Sequence, residues 1–191
     1  MNFKLINNVA GWLVFAVAAV VFFYSLESTG SLWDCGEFVA GAQKLQVVHP
    51  PGAPLFLLIG RLFVMVGKLF SNAPETAALS VNLMSGLCTA FAAMFICWVT
   101  SILGKMMLVG RDEAIVGVKT VDFDSSSIDG ESATNVGTIS LGQIIATCGG
   151  GVVAGLCSAF ISSNWFSAVE GEVYAMSTFF TCLTIWSIVK W

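Results

Sequence analysis

Four apolar runs, each long enough or nearly long enough to cross a lipid bilayer, constrain this 191-residue chain more than any other feature. A helix that crosses a bilayer needs about 20 mostly apolar residues. The runs lie at about residues 9–26, 78–103, 141–163 and 174–191. They predict an all-α, polytopic membrane protein whose residues 1–191 form a single transmembrane module.

The composition agrees with this class of protein. Hydrophobic residues make up 57% of the chain and charged residues 10%, with a mean hydropathy of +0.86, whereas a soluble domain has about 25% charged residues. No basic patch indicates nucleic-acid binding. Five of the six cysteines fall in apolar runs, where they act as small hydrophobic residues. Only Cys35 is placed in a loop, so no disulfide framework is expected.

The N-terminus has the positive charge and apolar run of a secretory signal. Lys4 precedes the run, but no small-residue cleavage site follows it. Residues 9–26 are therefore interpreted as an uncleaved first span.

A fifth apolar run, residues 54–70, contains Arg61 and Lys68. Seven residues at about 100° each place these two charges on one face of a helix, with apolar side chains around the rest. This pattern is typical of a helix that lies in the membrane interface.

The basic residues test that assignment. If residues 54–70 do not cross, one membrane side, cytoplasmic by the positive-inside rule, holds Lys4, Lys105, Arg111, Lys119 and Lys190. The N-terminus is then cytoplasmic, residues 27–77 form an external loop, and residues 104–140 form a cytoplasmic loop. The external face then collects Asp34, Glu37, Glu170 and Glu172.

The stretch SLWDCGEFVAGAQKLQVVHPPGAP at 31–54 is polar for this chain. Asp34 is placed to cap a short helix, with Glu37 in its first turn, where the helix dipole favours negative charge. Capping does not account for His49 or for the prolines that stiffen the following loop. Helix capping and a reaction site for a lipid-borne substrate both remain open.

A second acidic cluster lies in SNWFSAVEGEVYA, where Glu170 and Glu172 flank Gly171 and precede Tyr174. Acids at a membrane edge are costly and usually functional. The alternative is an ordinary acidic start of the fourth span.

Two other motifs have structural interpretations. Gly151 and Gly155 have the GxxxG spacing that packs membrane helices closely. Asp122 and Asp124 form a D-x-D pair, but the surrounding serines and glycine favour a solvated linker over a metal site.

Four stretches carry a family resemblance: WDCGEF at 33–38, KLQVVHPPGAPLFLLIGRLF at 44–63, VNLMSG at 81–86 and NWFSAVEGEVYAMSTFF at 164–180. They resemble the N-terminal membrane part of a large bacterial family, long described as a domain of unknown function. That family is grouped with lipid-linked-sugar-dependent protein O-mannosyltransferases of the GT-C fold. The resemblance covers nearly the whole chain except the 104–140 loop.

The resemblance implies a GT-C-like module that transfers a sugar, expected to be mannose, from a polyprenyl-phosphate donor to a Ser or Thr hydroxyl of a protein acceptor. It implies a bacterial cytoplasmic membrane location. Asp34 would be the general base and Glu37 would orient it or the acceptor.

The remaining candidate residues would bind the donor. Arg61, Lys44 and His49 would hold the leaving phosphate. Glu170 and Glu172, beside Tyr174, would bind sugar hydroxyls or position the acceptor. A divalent metal held by acids from the two loops stays open, and no other cofactor is expected.

The alternatives to a glycosyltransferase are a transporter subunit and an inactive fragment. The four acids would form an ion or proton relay in a transporter subunit, although they are placed at the ends of spans. The chain ends within its fourth span, so it is also expected to be an N-terminal fragment of a longer protein, inactive by itself.

Overall fold

The computed structural model describes residues 2–29, 34–50, 52–109 and 139–191. Within these ranges the chain forms helices and no strand, which confirms the all-α prediction. The helices are α1 (Phe3–Ser25), α2 (Cys35–Lys44), α3 (Pro54–Gly67), α4 (Thr76–Val109), α5 (Leu141–Phe160), α6 (Ser162–Val169) and α7 (Val173–Lys190).

Four of these helices are long and apolar enough to cross a membrane. They are α1, α4, α5 and α7, with 23, 34, 20 and 18 residues. The prediction of a polytopic membrane protein with four spans is confirmed. Helix α3 has only 14 residues, which is roughly 21 Å against a hydrocarbon core of about 30 Å. Its length agrees with a helix that does not cross, and its place in the interface stays a prediction.

Helix α4 is the centre of the bundle. The buried share of an apolar window of 18 residues differs among the spanning helices. It is 56% in α4, against 28% in α1, 28% in α5 and 17% in α7. The other three spans pack around α4, and their outward faces are exposed and apolar, as expected of surfaces that meet lipid.

Helices α4 and α5 approach closely along a row of small residues. A Cβ added to Gly151 would lie 2.6 Å from the Cys97 carbonyl oxygen, and one added to Gly155 would lie 2.7 Å from the Ala93 carbonyl oxygen. Both distances are too short for a real side chain. The GxxxG spacing therefore packs helices, as predicted.

The lysines of three spans gather at one end of the bundle. The Lys105 Nζ lies 5.1 Å from the centre of the Phe3 ring, which joins the end of α4 to the start of α1. The Lys190 Nζ lies 4.4 Å from the centre of the Trp186 ring, at the end of α7. The shared side predicted for Lys4, Lys105 and Lys190 is present. Arg111, Lys119, Asp122 and Asp124 lie outside the described residues.

The connection between the third and fourth spans differs from the predicted span 141–163 and turn. Helix α5 ends at Phe160, Ile161 adopts an extended conformation, and the short helix α6 follows. The Asn164 side chain donates a hydrogen bond of 2.7 Å to the Ser158 carbonyl. This bond satisfies a carbonyl at the end of α5 and fixes the change of direction.

Candidate active site

Asp34 lies at the N-cap position of α2 but does not cap it with its side chain. Only its backbone carbonyl takes part, by accepting a hydrogen bond of 3.0 Å from the Phe38 N–H. The side chain is 56% exposed. The capping alternative therefore does not explain the carboxylate, which is open to an incoming group.

Glu37, one turn further along α2, is engaged by His49. Its Oε1 accepts a hydrogen bond of 2.7 Å from the His49 backbone N–H, and its Oε2 lies 2.6 Å from the ring Nδ1. Two contacts to one residue fix both the loop and the orientation of the imidazole.

The chain turns back between Glu37 and His49, and it turns again directly after His49. Leu45, just after α2, has a left-handed backbone with φ of 52°. A turn closed by a hydrogen bond of 2.8 Å from the Gly52 N–H to the His49 carbonyl follows, with Gly52 at φ of 73°. Glycine suits that position because positive φ strains other residues.

The other ring nitrogen of His49 faces Asp34. Its Nε2 lies 3.7 Å from the Asp34 Oδ2, so the imidazole lies between the two carboxylates. The ring also packs against Phe38, with centroids 5.9 Å apart. Sequence reasoning placed His49 at the far end of the loop from the acids, and the structure brings the three side chains together.

These contacts shift two pKa values in opposite directions. The hydrogen bond between the side chains raises the pKa of His49 above its ordinary 6.5. The same bond, with the bond from the His49 backbone, lowers the pKa of Glu37 below its ordinary 4.5. The pair is therefore an imidazolium and a carboxylate over a wider pH range than either group alone.

The second acidic loop is attached to the first through Cys35. The Gly171 N–H donates a hydrogen bond of 3.2 Å to the Cys35 Sγ, which lies 3.9 Å from the Asn82 Oδ1. The Asn82 Nδ2 donates a bond of 2.7 Å to the Glu27 carbonyl. Asn82 of α4 is thus the point where three segments meet. They are the end of α1, the start of α2 and the turn between α6 and α7.

This arrangement corrects the placement of Cys35 in a loop. Cys35 is the first residue of α2 and is fully buried. Its sequence neighbours, Asp34 and Gly36, give no sign of burial, and the contacts of its sulfur with the distant Asn82 and Gly171 show that it is packed inside the bundle. The contacts of Cys35 and Asn82 were missed from sequence; the one available signal was an asparagine inside an apolar run.

Glu172 lies close enough to the first cluster for its charge to interact with it. Burial raises the pKa of Glu172, and the negative charges of Asp34 and Glu170 raise it further, while His49 opposes the shift. The two acidic pairs therefore share one end of the bundle. Tyr174 is the second residue of α7 and 67% of its surface is exposed. No hydrogen bond from its side chain to these acids is found in the described ranges.

The proposed phosphate-binding cations occupy α2 and α3. Arg61, half-buried on α3, donates through Nη1 to the Gln43 carbonyl near the end of α2. Lys44 is the last residue of α2 and is exposed. Arg61 thus joins the two helices with one of its five N–H groups, which leaves the others for a ligand.

Three of these side chains are also arranged as a metal site would be. One ligand atom each from Asp34, Glu37 and His49 lies within 4.8 Å of the others. Two carboxylates and an imidazole suit divalent cations such as Mn²⁺.

The fold and the site together define the class of protein. It is an all-α membrane protein with four spans, and acids from two connections lie at one end of its helix bundle. The family described as the protein O-mannosyl-transferase TMEM260 N-terminal domain matches residues 34–191. The chain belongs to this family.

Two relatives carry the same name. The protein O-mannosyl-transferase TMEM260 of Mus musculus is 40% identical over 80 residues, which cover 42% of this chain and 11% of the mouse protein. The Dictyostelium discoideum protein of that name is 27% identical over 84 residues, covering 44% of this chain and 10% of the relative. The matches thus span about a tenth of each relative. No solved structure matches the chain.

These matches confirm the resemblance to O-mannosyltransferase-like proteins. Both relatives come from eukaryotes, so they give no support to a bacterial source, and the bacterial membrane location stays a prediction.

Proposed function

We propose that this chain is the N-terminal membrane module of a GT-C glycosyltransferase, which transfers mannose from a polyprenyl-phosphate donor to a Ser or Thr hydroxyl of a protein. The observation that carries the proposal is the exposed Asp34 carboxylate, held beside a Glu37–His49 pair but not used as a helix cap. The name of the family and of both relatives supports mannose and a protein acceptor.

Asp34 is the proposed general base. The acceptor oxygen attacks the anomeric carbon while Asp34 takes the hydroxyl proton, and the bond from that carbon to the phosphate oxygen breaks. The polyprenyl phosphate leaves with the electron pair, and the anomeric carbon is inverted. The carboxylate is solvent-exposed at the end of the bundle, where an acceptor segment has access.

Glu37 differs from Asp34 because both of its oxygens are engaged by His49. We assign Glu37 the role of a positioning residue that holds His49 charged. The imidazolium Nε2 lies 3.7 Å from the Asp34 Oδ2, which helps to orient that carboxylate. The same division was expected from the family resemblance, with Asp34 as the base and Glu37 as an orienting residue, and the contact between Glu37 and His49 supports it.

The donor phosphate needs cationic partners. His49 as an imidazolium supplies positive charge beside the acids. Arg61, through its remaining N–H groups, and the exposed Lys44 supply more at the other end of α2. Glu170 and Glu172 are proposed to bind sugar hydroxyls. Burial favours the protonated form of Glu172, which is able to donate as well as accept a hydrogen bond. Tyr174 is assigned to the donor side by its position alone.

With His49 neutral instead of protonated, Asp34, Glu37 and His49 would hold a divalent cation, whose positive charge would then favour departure of the phosphate. Their proximity supports such a site. The protein's own proton transfer, from acceptor to Asp34, does not depend on it.

The transporter alternative has less support. Within the four spanning helices the charged residues are Lys4, Lys105 and Lys190, each within five residues of a helix end. A proton or ion relay needs titratable groups near the bilayer midplane.

The test is a transfer assay with the complete gene product in detergent, using polyprenyl-phosphate mannose and a Thr-containing peptide. We expect mannosyl-peptide with inverted anomeric configuration, and no product from nucleotide-linked mannose or from the Thr→Ala peptide. Transfer from the nucleotide sugar alone, retention of configuration or the absence of transfer would contradict the proposal.

A further inference from the structure

A cavity of about 310 Å³ lies at the end of the bundle opposite the acids. It is formed where α1 begins and where α4 and α7 approach their ends. Its lining includes Lys4, Asn7, Trp98, Trp186 and Lys190. None of these residues has a role in the proposed transfer reaction.

Asn7 fixes the position of Trp98 in the wall of this cavity. Its backbone carbonyl accepts a hydrogen bond of 2.9 Å from the Trp98 Nε1.

The charged residues in the cavity wall are basic. Lys4 and Lys190 line the cavity and form no ion pair with a carboxylate in the described part of the chain. No carboxylate side chain is among the described residues that line it. The cavity itself therefore attracts an anion.

The location indicates where the anion comes from. Three spanning helices begin or end here, which places the cavity at the level of the lipid head groups. The indole rings of Trp98 and Trp186 lie 5.5 Å apart in its wall, and tryptophan is enriched at that level of the bilayer.

We propose that this cavity binds the head group of an anionic phospholipid. The phosphate lies between Lys4 and Lys190, beside the indole rings of Trp98 and Trp186. The site is independent of the transfer chemistry and goes beyond the proposed function.

The experiment measures lipid retention and thermal unfolding of the purified 191-residue chain. Native mass spectrometry counts retained phosphatidylglycerol against phosphatidylcholine, with inorganic phosphate added in a third arm. We expect one phosphatidylglycerol to be retained in preference, with a rise in melting temperature that inorganic phosphate does not reproduce. Equal retention of both lipids, retention of neither, or equal protection by inorganic phosphate would overturn the proposal.

Variants locate the binding. Lys4→Gln and Lys190→Gln should each weaken phosphatidylglycerol binding about fivefold, as expected for one basic residue near a membrane surface. Lys68→Gln, exposed beyond the end of α3, is the matched control and should leave binding unchanged. A similar loss in the Lys68 variant would contradict the location.

Discussion

The backbone N–H of Gly171 donates a hydrogen bond of 3.2 Å to the Sγ of Cys35, across 136 residues of sequence. This single contact attaches the Glu170–Glu172 loop to the start of the helix that carries Asp34 and Glu37. The geometry of the candidate site therefore depends on a buried position beside the acids as well as on the acids themselves.

Gly171→Ala should disturb the site. An added Cβ would lie 2.9 Å from the Val81 Cγ1 and 3.1 Å from the Asn82 Oδ1, and both residues are fully buried and cannot move easily. Overpacking of this kind costs about 1–3 kcal/mol. We expect a lower melting temperature and reduced mannosyl transfer in the complete gene product.

Gly36→Ala is the control, because Gly36 adjoins Cys35 but has nothing within 4 Å of an added Cβ. It should melt at the wild-type temperature or slightly above. Equal losses in the two variants would show that the Gly171 contact has no special part in the site.

The pH dependence of the Glu37–His49 contact is directly measurable, because His49 is the one histidine of the chain. The contact stabilises the imidazolium, so its contribution is full below pH 6.5 and is lost as the pH rises through the raised pKa. For Glu37 the contribution is present above pH 4.5 and is lost as the pH falls through the lowered pKa.

Nuclear magnetic resonance titration of ¹⁵N-labelled histidine should give a pKa above 6.5 in the wild type and a lower one in Glu37→Gln. Lys68→Gln controls for a general change in charge. If the wild type and Glu37→Gln titrate together, the pair is not formed.

The topology is testable by cysteine labelling from outside intact cells, in a background without native cysteines. We expect a cysteine at position 73 to react and one at position 125 to be protected. The physical reason is that Lys4, Lys105 and Lys190 share one end of the bundle, which the positive-inside rule makes cytoplasmic. Labelling at 125 but not at 73 would refute this orientation.

Close packing of α5 on α4 predicts a difference between neighbouring glycines. Gly151→Ala should lower the melting temperature, because its Cβ would meet the Cys97 carbonyl at 2.6 Å, whereas Gly150→Ala has nothing within 4 Å. Alanine also favours a helix more than glycine by up to about 1 kcal/mol. The Gly150 variant should therefore be neutral or more stable, and the opposite order would contradict the packing.

The fold was largely predictable because the bilayer requires long apolar segments, and these are visible in the sequence. The helix α6 was missed because Ile161 and Asn164 break the apolar run through backbone geometry and a side-chain bond, which hydropathy does not record. The grouping of the acids at one face followed from topology.

The detail of the site was not predictable in the same way. The chain that carries His49 back to Glu37 passes through Leu45, and the left-handed conformation of a leucine has no sequence signal. Cys35 accepts a hydrogen bond from a residue 136 positions away. Such long-range contacts decide which acid is engaged and which is open, and local pattern does not contain them.

The measurement that tests the central claim most directly is the turnover of Asp34→Asn in the complete gene product at saturating donor and acceptor. Asparagine keeps the size of aspartate but cannot accept the hydroxyl proton, and general bases contribute about 10²- to 10⁴-fold. Since Asp34 does not cap α2 with its side chain, the variant should fold, keep its melting temperature and bind donor normally. We predict at least about a hundredfold loss of turnover; retention of most of the wild-type turnover would show that Asp34 is not the general base.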